Sequence, residues 1–328
     1  MRGLPWVGRI LIGVARRRLP TLVLVLGALA GPALAGVDIA TLDYRLSARA
    51  LAPGVYVVEG DHGDFSRANG CNLINTGFLV GSDGVLVVNT GPSRLYGEQL
   101  RALIGRTTTQ PVKAVLHLNL HPDYFLGNQA FADVPRWATA ATLEGMRAEA
   151  KAYEDNLYRL CGDWMKGTEA LLPDRVLPAS GIELAGRRLS WVELKGHTAS
   201  DLVLSDADSG VRFAGGLVFT DRVPTTPHAH IDDWLASLGA LAAGPSGTWV
   251  PSHGTVAPDA RGIDQTRRYL VWLDAHLAQA ALRGLDIAEL LAQPVPEEFR
   301  RWGAFDTEYV RNVMHLYPRH EGRSLQLR

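Results

Sequence analysis

His117-Leu-Asn119-Leu-His121-Pro-Asp123-Tyr124-Phe-Leu-Gly127-Asn128 is the stretch on which the reading of this 328-residue chain turns. It continues an apolar, strand-like run from Val112 to Leu118. Alternate residues of a strand face the same side, so positions 119 and 121 project together. The short loop that follows carries 123 and 124 to the same place. His117 shares that face, but it lies two residues earlier, about 6.5 Å back along the strand. It reads as a core histidine bonded to backbone.

Three further motifs follow in order: Gly196-His197-Thr198, then Phe213-Ala-Gly215-Gly216, then Pro251-Ser-His253-Gly254. Their order resembles that of the metallo-β-lactamase superfamily, where H-x-H-x-D-H is followed by G-H-T, an aspartate after F-A-G, and G-H-G. The resemblance implies an α/β fold, the αββα sandwich, here with extra C-terminal helices over about 259–328. It also implies roles. Histidines at 119, 121 and 197 hold one zinc, the residues at 123, 124 and 253 hold a second, and the residue at 216 bridges them. In this chain three of those positions are substituted, by Asn119, Tyr124 and Gly216. His121, Asp123, His197 and His253 remain as candidate metal ligands. Each former half-site keeps two ligands, whereas catalytic zinc sites ordinarily keep three protein ligands. The expectation is zinc at no more than one per chain, or none. Asn89, in Asn89-Thr90-Gly91, stands where the superfamily has an aspartate that supports the ligands. Loss of such a carboxylate typically weakens metal affinity about 10–100-fold. On this reading Gly216→Asp adds a ligand to each half-site and raises zinc affinity.

A closer resemblance covers residues 54–320. Asn89-Thr-Gly-Pro-Ser93, Gly162-Asp-Trp-Met165, Asp221-Arg222-Val-Pro-Thr-Thr-Pro-His228, Trp272-Leu-Asp274 and Leu316-Tyr-Pro318 are similar to stretches of the zinc metallohydrolase-like proteins of bacterial quinoprotein relay systems. Those are exported proteins associated with pyrroloquinoline-quinone-dependent alcohol oxidation. The resemblance implies a periplasmic quinoprotein dehydrogenase as partner. It also places Asp221, Arg222 and His228 at the cleft, where they position an anionic or carbonyl substrate. Read from the residues alone, Asp221 and Arg222 are equally a loop ion pair.

Two functions fit. One is hydrolysis of an ester, lactone, thioester or amide by a metal-bound water. In it Asp123 orients the water, and Tyr124 donates to the developing oxyanion if it points inward. The other is a catalytically decayed binding or accessory protein of a quinoprotein system, since fold does not fix function. Neither a G-x-G-x-x-G nor a G-x-S-x-G signature is present, which argues against dinucleotide and serine-hydrolase chemistry.

The ends and the composition bear on location. Arg2, Arg9 and Arg16-Arg17-Arg18 precede a short apolar run, Leu19 to Ala30, and Ala33-Leu34-Ala35 offers a cleavage site. Residues 1–35 thus read as a secretory signal peptide and 36–328 as one domain, periplasmic or secreted, with no membrane span after cleavage. The mature chain has 28 basic and 34 acidic residues, a charge of −6, which gives no footprint for nucleic acid. Cys71 and Cys161 are the only cysteines. They form either one disulfide or two separate buried thiols.

Periodicity predicts strands at Val55–Glu59, Thr76–Val80, Gly84–Asn89, Ile182–Leu184, Leu189–Leu194, Leu202–Ser205, Val211–Ala214 and Thr248–Pro251. It predicts helices over 93–105, 123–132, 141–172, 232–241, 263–283, 286–292 and 306–316.

Overall fold

The computed structural model describes residues 41–178 and 183–326. The expected signal peptide lies outside the described residues, as does Ile182 of one expected strand. Among the described residues fourteen short strands are interspersed with eight helices. A first sheet runs, in order of adjacency, β1 (Arg49–Ala52), β2 (Val55–Val58), β3 (Thr76–Val80), β4 (Val85–Val88), β5 (Val112–Leu116), β6 (Arg136–Ala138) and β7 (Arg175–Val176). Pairing is antiparallel from β1 to β4 and parallel from β4 to β7. The second sheet comprises β8 (Glu183–Leu184), β9 (Arg187–Leu194), β10 (Asp201–Asp206) and β11 (Arg212–Phe213), and β13 (Trp249–Val250) flanks β11 at its edge. A separate parallel pair joins β12 (Phe219–Thr220) to β14 (His253–Gly254).

The two-residue period of each central strand shows how the layers form. In β4, Leu86 and Val88 join the apolar cluster between the two sheets, while Val85 and Val87 face α1 (Arg94–Thr107). In β10, Leu202 and Leu204 enter the intersheet core, and Val203 faces the opposite cluster. That cluster is built with α4 (Ile231–Ala242), α5 (Arg261–Arg283) and the C-terminal helix. Strands buried on both faces need helices on both sides, and the result is the αββα sandwich. Ser93 caps α1 by accepting from the Tyr96 backbone N–H (3.0 Å). Gly284 ends α5 in the left-handed conformation at φ 72°.

Several boundaries differ from expectation. The helix expected over 123–132 is a single turn, α2 (Pro122–Phe125), and then a 3-10 turn. The one expected over 141–172 is α3 (Ala140–Cys161). Two short helices follow α5, α6 (Ile287–Leu291) and α7 (Glu297–Arg300), the second without a sequence signal strong enough to find it. The last helix, α8 (Phe305–Gln326), runs through Pro318 instead of ending near 316. Proline disfavours a helix interior, but Leu316, Tyr317 and Ser324 on both sides of it are buried, and that packing outweighs local preference. Cys71 and Cys161 are joined in a disulfide, which ties the loop before β3 to the end of α3.

Candidate functional site

The site lies where the loops after β5, β9 and β12 meet β14. It is closed on one side by α3 and on another by α8. A cavity of about 320 Å³ opens there, lined in part by His121, Asp123, Arg222, His228, His253 and Arg311. Asn89, after β4, takes φ 59° and accepts from the Leu118 backbone N–H (3.1 Å). Asparagine tolerates that left-handed conformation, and its amide fixes the start of the 119–124 loop.

The four remaining candidate ligands come close but bond to three different sets of partners. Asp123 accepts from His253 (Nε2 to Oδ2, 2.8 Å). His253 Nδ1 lies 3.0 Å from Ser252 Oγ, whose hydroxyl also reaches the Val218 carbonyl (3.3 Å), and a neutral ring with its proton on Nε2 serves Asp123. Burial holds His253 below the usual imidazole range, consistent with that neutral form. Asn75, unforeseen from sequence, donates to the carbonyls of Pro251 and Gly254 and so holds the strand that presents His253.

His121 turns the other way. Its Nε2 meets His228 Nδ1 at 3.0 Å, and its ring stands 4.7 Å from that of His197. Burial, followed by the neighbouring imidazoles, pushes His121 well below the usual range. Burial also lowers His228 and His315.

His197 faces a different set of partners. Gly196, at φ +138°, lets the backbone pass against α4, since a Cβ there would sit 2.2 Å from Trp234 Cα. The ring of His197 then lies 5.0 Å from Trp234. Its Nδ1 approaches Asn119 Nδ2 (3.4 Å) and Asp201 Oδ1 (3.5 Å), and its Nε2 reaches Thr225 Oγ1 (3.2 Å). Asp201 is fully buried and accepts from Asn119 Nδ2 (2.5 Å) and from the Thr198 backbone N–H (2.8 Å). Asn119 also donates to Thr198 Oγ1 and accepts from the His121 backbone N–H. The substituted amide is therefore the hub of a closed hydrogen-bond network. Gly216 completes it: a Cβ at that position would stand 2.0 Å from His197 Nδ1 and 2.7 Å from Asp201 Oδ1. The space of the expected bridging carboxylate is filled by His197 and Asp201.

Tyr124 is also placed otherwise than its proposed catalytic role requires. It is fully buried, joins the intersheet apolar cluster and makes no hydrogen bond through its hydroxyl. Burial, and then the nearby carboxylates, raises its pKa far above the ordinary phenol value. It does not line the cleft. His117 is the core histidine the sequence suggested: its Nδ1 meets the Tyr124 carbonyl (3.0 Å), and burial lowers its pKa to about 3. His62 is exposed.

Of the three residues assigned to substrate positioning, Arg222 and His228 line the cleft and Asp221 does not. Asp221 bonds Gln265 and approaches Arg261 (3.5 Å), so the expected Asp221–Arg222 ion pair is absent. Arg222 instead pairs with Glu308 of α8 (3.4 Å) and donates to the Gly63 carbonyl. Glu308, Arg311 and His315 were not foreseen. They follow the first motif by more than 180 residues, and nothing local in sequence marks a helix as a cleft wall. Asp201 had a signal, the Thr198-x-x-Asp201 spacing of a side chain that caps its own turn.

These positions test the fit of zinc. Among the described residues no group of three or more His, Cys, Asp or Glu side chains is arranged to hold a metal ion. The four expected ligands, His121, Asp123, His197 and His253, have separate partners here: Asp123 bonds His253, His121 bonds His228, and His197 approaches Asn119 and Asp201. With an amide hub at 119, a buried phenol at 124 and no room at 216, the residues present do not fit the superfamily's binuclear centre.

Comparison with known proteins agrees with the fold. The family model for the metallo-β-lactamase superfamily matches residues 69–253. The solved metallo-β-lactamase from Pontibacter korlensis superposes with a TM-score of 0.54 at 22% identity, covering 69% of this chain and 99% of that one. A metallo-β-lactamase from Hirschia baltica gives 0.53 and 21%, covering 69% and 97%. Among curated protein sequences none matches significantly. The family match spans more than half of the chain, and this protein belongs to the metallo-β-lactamase superfamily, whose members usually bind zinc.

Proposed function

We propose that this chain is an exported member of its hydrolase superfamily that binds a small molecule in its cleft and performs no zinc-dependent hydrolysis. One observation carries the reading. The space of the bridging carboxylate is taken by His197 and Asp201, tied to Asn119 in a buried network. An open, merely vacated metal site would leave these groups apart. Buried polar groups prefer complete hydrogen bonding, and the network supplies it without an ion.

Export rests on the basic, apolar, A-x-A-ended N-terminus. It gains support from the Cys71–Cys161 disulfide, a bond that persists chiefly outside reducing compartments. Service to a periplasmic quinoprotein dehydrogenase rests on the sequence resemblance, most specifically on the runs at 221–228 and 272–274.

The test is elemental analysis of protein purified from the periplasm and dialysed, paired with hydrolysis assays on ester, lactone and thioester panels. The reading expects less than stoichiometric zinc and no turnover that chelation abolishes. Two zincs per chain, with hydrolysis lost on chelation and regained with zinc, would establish the competing hydrolase reading.

A further inference from the structure

The charges of the cleft wall are already used. Arg311 makes a two-pronged contact with Asp64 (2.7 and 2.8 Å) and a third bond to Glu308 (3.1 Å). Arg222 approaches the same Glu308 oxygen, Oε1 (3.4 Å), and donates to two backbone carbonyls. Two guanidiniums thus meet two carboxylates, and Arg222 and Glu308 are almost fully buried. Asp123 remains as a further carboxylate, paired only with His253. His121 and His228 bond ring to ring, which requires that at least one be neutral. Among the described residues of the cleft both guanidiniums are thus engaged by carboxylates, and an entering carboxylate would meet Asp123 in a partly desolvated space. The opposite wall is mostly apolar: Phe65, the ring of Tyr153 and Leu160 are partly buried against the cluster that holds Leu157 and the disulfide, with Asn156 and the Tyr153 hydroxyl as its polar groups.

We infer that the cleft takes an uncharged, largely apolar molecule with one hydrogen-bonding oxygen, its apolar body against Phe65, Tyr153 and Leu160 and its oxygen at the His121–His228 pair. This deepens the proposed binding role and rests on it. It departs from the anionic substrate expected at Arg222, because that guanidinium is already committed.

Three probes of one shape and three charges test it: 4-methylbenzyl alcohol, 4-methylbenzoate and 4-methylbenzylamine, titrated calorimetrically into the mature chain at neutral pH. The alcohol is expected to bind at least about tenfold tighter than either ion. Leu160→Asp should weaken the alcohol about tenfold and turn the preference toward the ammonium, since it puts a carboxylate in the apolar wall. Phe65→Ser, at a loop position, should give the loss of alcohol binding independently of how Leu160→Asp folds. Benzoate binding as tightly as the alcohol, or no binding by any probe at about 10 mM, overturns the inference. So does unchanged alcohol binding in both variants. Zinc-dependent hydrolysis would overturn the underlying reading instead, so the two fail on different measurements.

Discussion

The two sides of the cleft hold the same kinds of groups and use them differently. On one side, His253, Asp123, His121 and His228 line an open cavity and pair two by two. On the other, His197, Asp201, Asn119 and Thr198 form a closed network with no room at Gly216. The difference teaches that a substituted ligand position is not necessarily an empty one. Once Asn119 donates to Asp201, and His197 fills the space beside Gly216, each change supports the others. Reversing one alone creates a conflict.

Gly216→Asp is the strongest way to break this contrast. Sequence reasoning makes it a repair, whereas the structure makes it an insertion of a carboxylate against His197 and the buried Asp201 carboxylate. Overpacking and an unpaired buried charge together should cost about 4 kcal/mol. Urea denaturation should show that loss, and zinc affinity should not rise. A stable variant with gained zinc would mean that the closed side opens freely.

Asp201→Ala tests the network from its other end. It leaves the Thr198 N–H and the Asn119 amide without their buried acceptor, a loss of about 3 kcal/mol. The same loss should not appear for Asp123→Asn on the open side. There an amide oxygen still accepts from His253, and the expected change is within about 1 kcal/mol.

Between these in size lies a pH effect. Burial lowers the His117 pKa to about 3, so the folded protein binds fewer protons than the unfolded chain below about pH 6.5. Its contribution to stability is present above that pH and is lost as pH falls toward the folded value, by up to about 1.4 kcal/mol per pH unit. Denaturation midpoints between pH 6.5 and 4.5 should fall accordingly, and His117→Gln should flatten the slope. Midpoints independent of pH in the native protein would contradict the buried neutral ring.

Much of this was legible in the sequence. The strands β4, β5 and β10 are apolar runs at the right length, and Ser93, Gly284 and the G-H-T and H-G motifs mark their elements locally. Of the residues singled out in sequence, His121, Asp123 and His253 line one cavity and His197 lies behind it, 4.7 Å ring to ring from His121, because strand ends in a two-sheet sandwich open on the same edge. What local pattern could not carry was orientation. Tyr124 and Asp123 are neighbours, yet the turn of α2 sends the phenol into the core and the carboxylate into the cleft. The partners of Arg222 and Arg311 depend on α8 docking across the sandwich, a contact of high sequence separation with no signature in either segment.

The measurement closest to the central claim is anomalous diffraction at the zinc edge, from crystals grown with excess zinc. The account predicts no metal within bonding distance of His197, about 2.0–2.1 Å for a zinc–imidazole contact, with its Nδ1 still turned to Asn119 and Asp201. A zinc ion bound to His197 and His121, with the Asn119–Asp201 bond broken, would contradict it.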